Sequence, residues 1–210
     1  MSEVNGGAAM RVADLLRAEI RAGTLRPGQR LSEEHFRARY GVSRSSLREA
    51  FRLLVRDRLL VHELSRGVFV REPTRAELRD LYRVRRVIEC AALRQVETLT
   101  PVLLRQLAEA IEEGKRAAGE GQWELVASAS IRFHQTLVAL AGSERLNEIM
   151  DGVLAEHRLA YALMKDTQVF HLGFLNRHEA IADTLRAGDL DGAAALLDQY
   201  LRDSERAVLD

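Results

Sequence analysis

The chain has 210 residues, 47% of them hydrophobic and 30% charged, with a formal net charge of zero and a single cysteine. This composition is typical of a folded globular protein and excludes a disulfide framework or a cysteine metal cluster within one chain. No stretch reaches the roughly 18 apolar residues of a membrane span, and the start lacks a signal-peptide pattern, so we expect a cytoplasmic protein with no membrane partner.

The charge is unevenly distributed along the chain. Residues 11–72 carry 14 arginines and 8 acidic residues, whereas residues 73–210 carry 17 basic and 22 acidic residues. A basic segment followed by an acidic one predicts two domains with different partners, the first of which favours a polyanion. We expect the domains at residues 1–72 and 73–210.

The first seventy residues carry signals for three helices and a hairpin. Apolar residues at helical spacing predict a helix near residues 10–22, and two further helices begin after the caps Ser32 and Ser43, with Gly41 between them. Short strands follow at residues 60–63 and 68–71, joined by a turn that contains Gly67. This order predicts a winged helix-turn-helix, in which the start of the third helix enters the DNA major groove.

Four arginines recur at every fourth residue of the third helix: Arg44, Arg48, Arg52 and Arg56. Like charges at this spacing repel by a few tenths of a kcal/mol. Helical geometry places Arg44 at the flank of the apolar stripe and the other three away from it. If these arginines face DNA, each good contact with a base is worth about 1–3 kcal/mol of discrimination against the wrong base. A solvated basic surface is the alternative interpretation.

The segment from residue 16 to 70 contains G-x-L-x-P-G-x-x-L, G-V-S-R-x-x-x-R-E-A and G-x-F-V patterns. It resembles the DNA-binding domain of GntR-type bacterial transcription regulators. The resemblance implies that Arg44 and Arg48 contact bases or nearby phosphates and that Ser45 and Ser46 contact the backbone. It also implies that Gly67 lets the wing approach the minor groove. The complete predicted DNA-binding set is Arg44, Ser45, Ser46, Arg48, Arg52, Arg66 and Gly67.

Residues 73–210 show helical patterns and no convincing strand. Helices are predicted near residues 75–97, 101–118, 122–141, 144–165, 171–186 and 190–207. Six helices with short connections predict an antiparallel bundle with a ligand site between facing helices. The region resembles the FCD ligand-binding domain of GntR regulators, in its six-helix VanR-type form. We therefore expect a mainly α protein, with a winged helix-turn-helix followed by an all-α bundle.

Many FCD domains hold a divalent metal with one aspartate and three histidines. By resemblance, Ser130 occupies the aspartate position, His134 and His178 occupy two histidine positions, and Tyr200 occupies the third. Two of the four ligands are thus replaced by neutral hydroxyl groups, which bind divalent ions poorly. We predict no cofactor and no metal site, with an ion held by His134 and His178 as the alternative.

The same positions predict a pocket for an organic effector, lined by Arg85, Ser130, His134, His178 and Tyr200. Arg85 matches an arginine that pairs with a carboxylate effector in relatives, and its planar guanidinium suits that role. The alternative is that the histidines are hydrogen-bonded core residues.

These features predict a ligand-responsive transcription regulator, not an enzyme. We expect a homodimer that binds a double-stranded DNA operator and represses until a small organic effector, with carboxylates as candidates, releases it. One alternative is a metabolic enzyme with an appended basic domain, although GxSxG, Walker A and HExxH motifs are absent. The other is a non-specific architectural DNA binder.

Overall fold

The computed structural model describes residues 2–161 and 167–209, and the chain separates into two compact units, Met1–Pro73 and Thr74–Asp210. Every helix in the described residues is too short or too polar to cross a lipid bilayer.

Three helices dominate the first unit: α1 (Ser2–Arg21), α2 (Glu33–Tyr40) and α3 (Arg44–Arg56). α1 begins several residues earlier than the sequence pattern indicated. It packs on α3, and Leu16, Leu47 and Leu54 have no exposed surface. Burying each of these side chains contributes about 1.5–3 kcal/mol, so the apolar stripes of α1 and α3 stabilise the unit.

Two side-chain caps fix the turn between α2 and α3. Ser32 accepts a hydrogen bond from the His35 N–H, and Ser43 accepts one from the Ser46 N–H at 3.1 Å. Between them, Gly41 ends α2 with φ of 64°, a left-handed conformation that favours glycine. These local interactions produce the short turn of a helix-turn-helix.

The sheet of the first unit has three strands in the described residues, not the two predicted. They are β1 (Arg30–Leu31), β2 (Leu60–Glu63) and β3 (Gly67–Val70), paired antiparallel in the order β1-β3-β2. β1 pairs Arg30 with Phe69 and Leu31 with Val68. A two-residue strand is too short to show an alternating pattern, so only tertiary pairing reveals it.

Six helices form the described part of the second unit, which confirms the predicted fold class. They are α4 (Arg75–Arg94), α5 (Pro101–Gly119), α6 (Trp123–Ala139), α7 (Glu144–Tyr161), α8 (Thr167–Arg186) and α9 (Leu190–Leu209). Thr74 and Glu77 form a reciprocal capping box at the start of α4, and Thr100 caps α5. The predicted end of the α7 helix at residue 165 lies outside the described residues.

The first and last helices of this bundle, α4 and α9, pack against each other. The hydroxyl oxygens of Tyr82 and Ser204 lie 2.9 Å apart, and Arg86 pairs with Glu205. The helices enclose one large apolar core, and the polar residues of the predicted pocket lie inside the same bundle.

Candidate DNA-binding surface and bundle interior

The outward surface of α3 carries the predicted arginines. The side chains of Arg44, Arg48 and Arg52 are 68%, 55% and 76% exposed. The opposite surface of the helix is buried and apolar, with Leu47, Ala50, Phe51 and Leu54. The helical period separates the two surfaces, so a packed helix presents the guanidinium groups to solvent.

Carboxylates pair with these arginines, which the charge pattern alone did not reveal. Glu33 accepts a hydrogen bond from Arg44 Nε at 3.0 Å on one oxygen and from Arg48 Nε at 2.9 Å on the other. Arg52 donates to Glu49 at 2.9 Å. The hydrogen bond from Arg48 is the largest cause that holds the pKa of Glu33 below its usual value. The repulsion expected within the stripe is therefore offset.

Ser46 does not lie where the resemblance placed it. It is 3% exposed, and its hydroxyl oxygen lies 2.9 Å from that of the cap residue Ser43. Ser45 is exposed, and its hydroxyl also lies 2.9 Å from that of Ser43. Ser46 is thus the buried partner of the N-cap residue Ser43, and its burial argues against the predicted contact of its side chain with the DNA backbone.

The wing between β2 and β3 carries the other two predicted residues, Arg66 and Gly67. Gly67 has φ of 113°, where side chains are strained, and an added Cβ would lie 3.4 Å from the Arg30 side chain. Arg66 is exposed, pairs with Glu63 and places its Cζ 5.4 Å from the centre of the Phe69 ring. The wing therefore presents an exposed, ion-paired arginine beside a constrained backbone.

A depression of about 490 Å³ lies between α3 and the strands of the wing. It is lined by Glu33, Arg48, Phe51, Arg52, Val55, His62 and Val68. Because the surface combines concave shape with arginines, it suits a nucleic-acid backbone as well as base edges.

Three ionisable side chains meet inside the second unit. Glu89 of α4 accepts a hydrogen bond from Arg85 Nε at 2.7 Å, and its other oxygen lies 2.6 Å from His134 Nδ1 on α6. Glu89 is 0% exposed, and Arg85 and His134 are each 1% exposed. We call these residues the interior triad. The sequence predicted Arg85 and His134 but not Glu89, which connects them.

The interior triad has a defined charge state. Burial raises the pKa of Glu89, but the charge of Arg85 and the contact with His134 outweigh burial, so this pKa lies below its usual value. Burial lowers the pKa of His134, so its imidazole is neutral at neutral pH. An ionised carboxylate only accepts hydrogen bonds, so His134 Nδ1 carries the proton and Nε2 is an acceptor.

Glu89 is a partner that the role predicted for Arg85 did not include. The prediction paired this guanidinium with the carboxylate of an effector, and the protein itself supplies one carboxylate, at Arg85 Nε. Arg85 Nη2 and His134 Nε2 are buried and make no hydrogen bond within the described residues. A ligand that enters here would meet one donor and one acceptor rather than an uncompensated cation.

The other predicted pocket residues gather next to the interior triad. The rings of His134, His178 and Tyr200 have centres 5.0 to 5.3 Å apart. Ser130 hydrogen-bonds with the side chains of Tyr161 and Tyr200. Burial raises the pKa of Tyr200 well above its usual value, so its phenol is neutral. The cavity lined by Ser130, His178 and Tyr200, among others, measures about 10 Å³, roughly the space of one water molecule.

Few donor atoms in this interior could hold a divalent metal. Among the described residues, no group of three or more His, Cys, Asp or Glu side chains is arranged to hold an ion. The contact between His134 Nδ1 and Glu89 leaves Nε2 as the ring nitrogen that could bind an ion, and the neutral hydroxyls of Ser130 and Tyr200 are weak ligands.

A winged helix-turn-helix with an exposed arginine surface, carried on the same chain as a helical bundle with a polar interior, defines a DNA-binding transcription regulator. Residues 8–70 match the bacterial regulatory proteins of the gntR family, and residues 80–203 match the FCD domain. The chain therefore belongs to the GntR family and carries an FCD domain. Members of this family are transcription regulators and not enzymes.

Similarity to individual proteins extends over most of the chain. A solved GntR transcriptional regulator from Rhodococcus sp. RHA1 is 42% identical with a TM-score of 0.87, covering 96% of this chain and 97% of the other. The HTH-type transcriptional repressor RspR of Escherichia coli K12 is 26% identical over 92% of this chain and 86% of RspR. The HTH-type transcriptional regulator YdhC of Bacillus subtilis is 29% identical, and the match spans 66% of this chain and 62% of YdhC.

Proposed function

We propose that this protein is a cytoplasmic, ligand-responsive repressor that binds operator DNA as a homodimer. The observation that carries the proposal is the exposed arginine surface at the start of α3. The relative RspR is named a transcriptional repressor, and this name supports the proposal that the present protein also represses. Two copies on a two-fold axis would bind two half-sites of an approximately palindromic operator.

The arginines suit sequence readout for a geometric reason. The planar guanidinium of Arg44 or Arg48 can donate two parallel hydrogen bonds to O6 and N7 of guanine, worth about 1–3 kcal/mol per contact. Arg52 and Ser45 lie on the same exposed side of α3 and would contact phosphates, which fix the register. Arg66, next to Gly67, would reach the adjacent minor groove.

We propose that a small organic effector binds in the bundle beside Ser130, His134, His178 and Tyr200, without a resident metal or other cofactor. A carboxylate effector must compete with Glu89 for Arg85, whereas an uncharged polar effector can bond to Arg85 Nη2 and His134 Nε2 directly. The cavity must expand to admit either ligand, so binding favours a second packing of the bundle. Such differential binding typically changes DNA affinity by about 1–3 kcal/mol.

Selection of bound fragments from random DNA tests the proposal. The wild-type protein is expected to enrich one approximately palindromic sequence, and Arg44→Ala and Arg48→Ala to lose that preference. Both variants are expected to keep the wild-type melting temperature, because exposed ion pairs contribute about 0–1 kcal/mol. Arg83→Ala, at an exposed arginine of α4, serves as the control.

Two outcomes would contradict this assignment. Unchanged operator preference in both α3 variants would refute the role of α3. A wild-type protein with strong salt dependence but no preferred sequence would be a non-specific architectural DNA binder.

Repeating the selection with small carboxylates and sugar acids tests the effector site. Tyr200→Phe keeps the ring and removes one hydroxyl, so operator affinity is expected to stay while release by the effector weakens. An unaltered release would place the effector elsewhere.

A further inference from the structure

Glu33 holds two predicted DNA-reading arginines at once. It lies in the first turn of α2, and each carboxylate oxygen accepts from a different guanidinium, Arg44 Nε or Arg48 Nε. The two arginines are one helical turn apart on α3, so a single carboxylate can bridge them. Glu33 is half-buried, whereas both arginines remain exposed.

The bonds to Glu33 use Nε and direct each guanidinium without using its terminal nitrogens. A guanidinium has five N–H donors, and its two terminal nitrogens can together bond to O6 and N7 of guanine. We propose that Glu33 is a positioning residue for DNA readout, which holds Arg44 and Arg48 oriented toward guanine and opposes their binding to other sequences. This proposal rests on the proposed function, in which α3 reads the operator.

Two effects of Glu33 favour binding to the operator over other sequences: it preorganises the arginine side chains, and it carries a negative charge. A free arginine side chain loses much rotamer freedom when a ligand fixes it, and Glu33 has already restricted that freedom before DNA arrives. At a sequence without suitable guanines, the arginines must leave Glu33 to reach phosphates, and its charge faces the DNA backbone. The low pKa of Glu33, caused first by the Arg48 hydrogen bond, keeps that charge at neutral pH.

Glu34 offers a matched control within the same turn of α2. It carries the same charge as Glu33, is exposed, and makes no ion pair or hydrogen bond with the described residues. Glu34→Gln therefore changes the net charge by the same amount as Glu33→Gln and leaves Arg44 and Arg48 in place.

The experiment measures dissociation constants of the full-length wild-type, E33Q and E34Q proteins over a range of salt concentrations. The duplexes are the selected operator, the operator with its contacted guanines replaced, and a random sequence. E33Q is expected to lower the ratio of operator to random-sequence affinity by about tenfold, mainly through tighter binding to random DNA. E34Q is expected to strengthen both affinities alike and to leave the ratio unchanged.

The outcomes separate positioning from other roles. A ratio for E33Q that equals that of E34Q, or exceeds that of the wild type, overturns the proposal, because Glu33 would then act only through net charge. Equal weakening on all duplexes together with a lower melting temperature also overturns it, since Glu33 would then act only on folding. Wild-type protein without any preferred sequence would overturn the proposed function as well. Preserved wild-type preference with an unaltered E33Q ratio overturns the role of Glu33 alone.

Discussion

Replacement of Glu89 by alanine is expected to destabilise the helical bundle by about 3–5 kcal/mol, the range for removing one partner of a buried ion pair. The variant leaves the buried Arg85 guanidinium charged without its carboxylate, and it removes the acceptor of His134 Nδ1–H. For a unit of this size, 1 kcal/mol corresponds to roughly 3–4 °C, so the melting temperature is expected to fall by about 10–20 °C. Calorimetry and urea denaturation of the full-length protein measure both quantities.

Two further variants isolate the cause of the Glu89 effect. Asp80→Ala removes an exposed carboxylate from the same helix, where the ion pair with Arg83 measures 3.6 Å, and is expected to change stability by less than about 1 kcal/mol. The double variant Arg85→Met with Glu89→Met leaves no buried charge uncompensated, so it is expected to be more stable than Glu89→Ala. A Glu89→Ala protein within about 1 kcal/mol of the wild type would refute the assignment of an ionised interior triad.

Three other measurements test the interior and the α3 cap. Burial lowers the pKa of His134 in the folded protein relative to the unfolded chain. As the pH falls below neutral, the unfolded chain therefore binds a proton at this histidine first, and the folded state loses stability. The unfolding free energy is therefore expected to decrease from pH 7 to pH 5, and less steeply in His134→Gln; equal slopes would contradict this. Elemental analysis of protein purified without chelator or affinity tag is expected to show far less than one metal ion per chain, and a stoichiometric ion would contradict our assessment of the donor set. Ser43→Ala is expected to lower stability by about 1 kcal/mol through loss of the α3 cap, whereas Ser45→Ala changes it little; similar losses would argue against capping.

Local signals made much of the fold predictable. The caps Ser32 and Ser43 mark helix starts within a few residues, and apolar stripes identify the buried side of helices such as α3. These interactions involve neighbours within four residues, so a sequence pattern contains them. β1 depends on pairing with a strand almost forty residues later, and two residues cannot indicate such a partner.

Charge partners were less predictable because they depend on tertiary neighbours. Glu89 follows Arg85 by four residues on the buried side of α4, so a buried ion pair was readable from the sequence. Its second contact, to His134, is 45 residues away and needed the fold. Glu33 follows the N-cap Ser32, where the helix dipole alone favours a carboxylate, so the sequence gives no sign of its bridge to Arg44 and Arg48.

The packing of α4 on α9 has a consequence for synthesis on the ribosome. Ser204, the hydrogen-bond partner of Tyr82, is synthesised 122 residues later. Translation of these residues takes about 6–24 s at common rates of 5–20 residues per second. During that interval the winged unit has emerged completely, and N-terminal domains generally fold first. The nascent chain therefore acquires its DNA-binding unit before its regulatory bundle closes, and the apolar side of α4 lacks its α9 partner in the meantime.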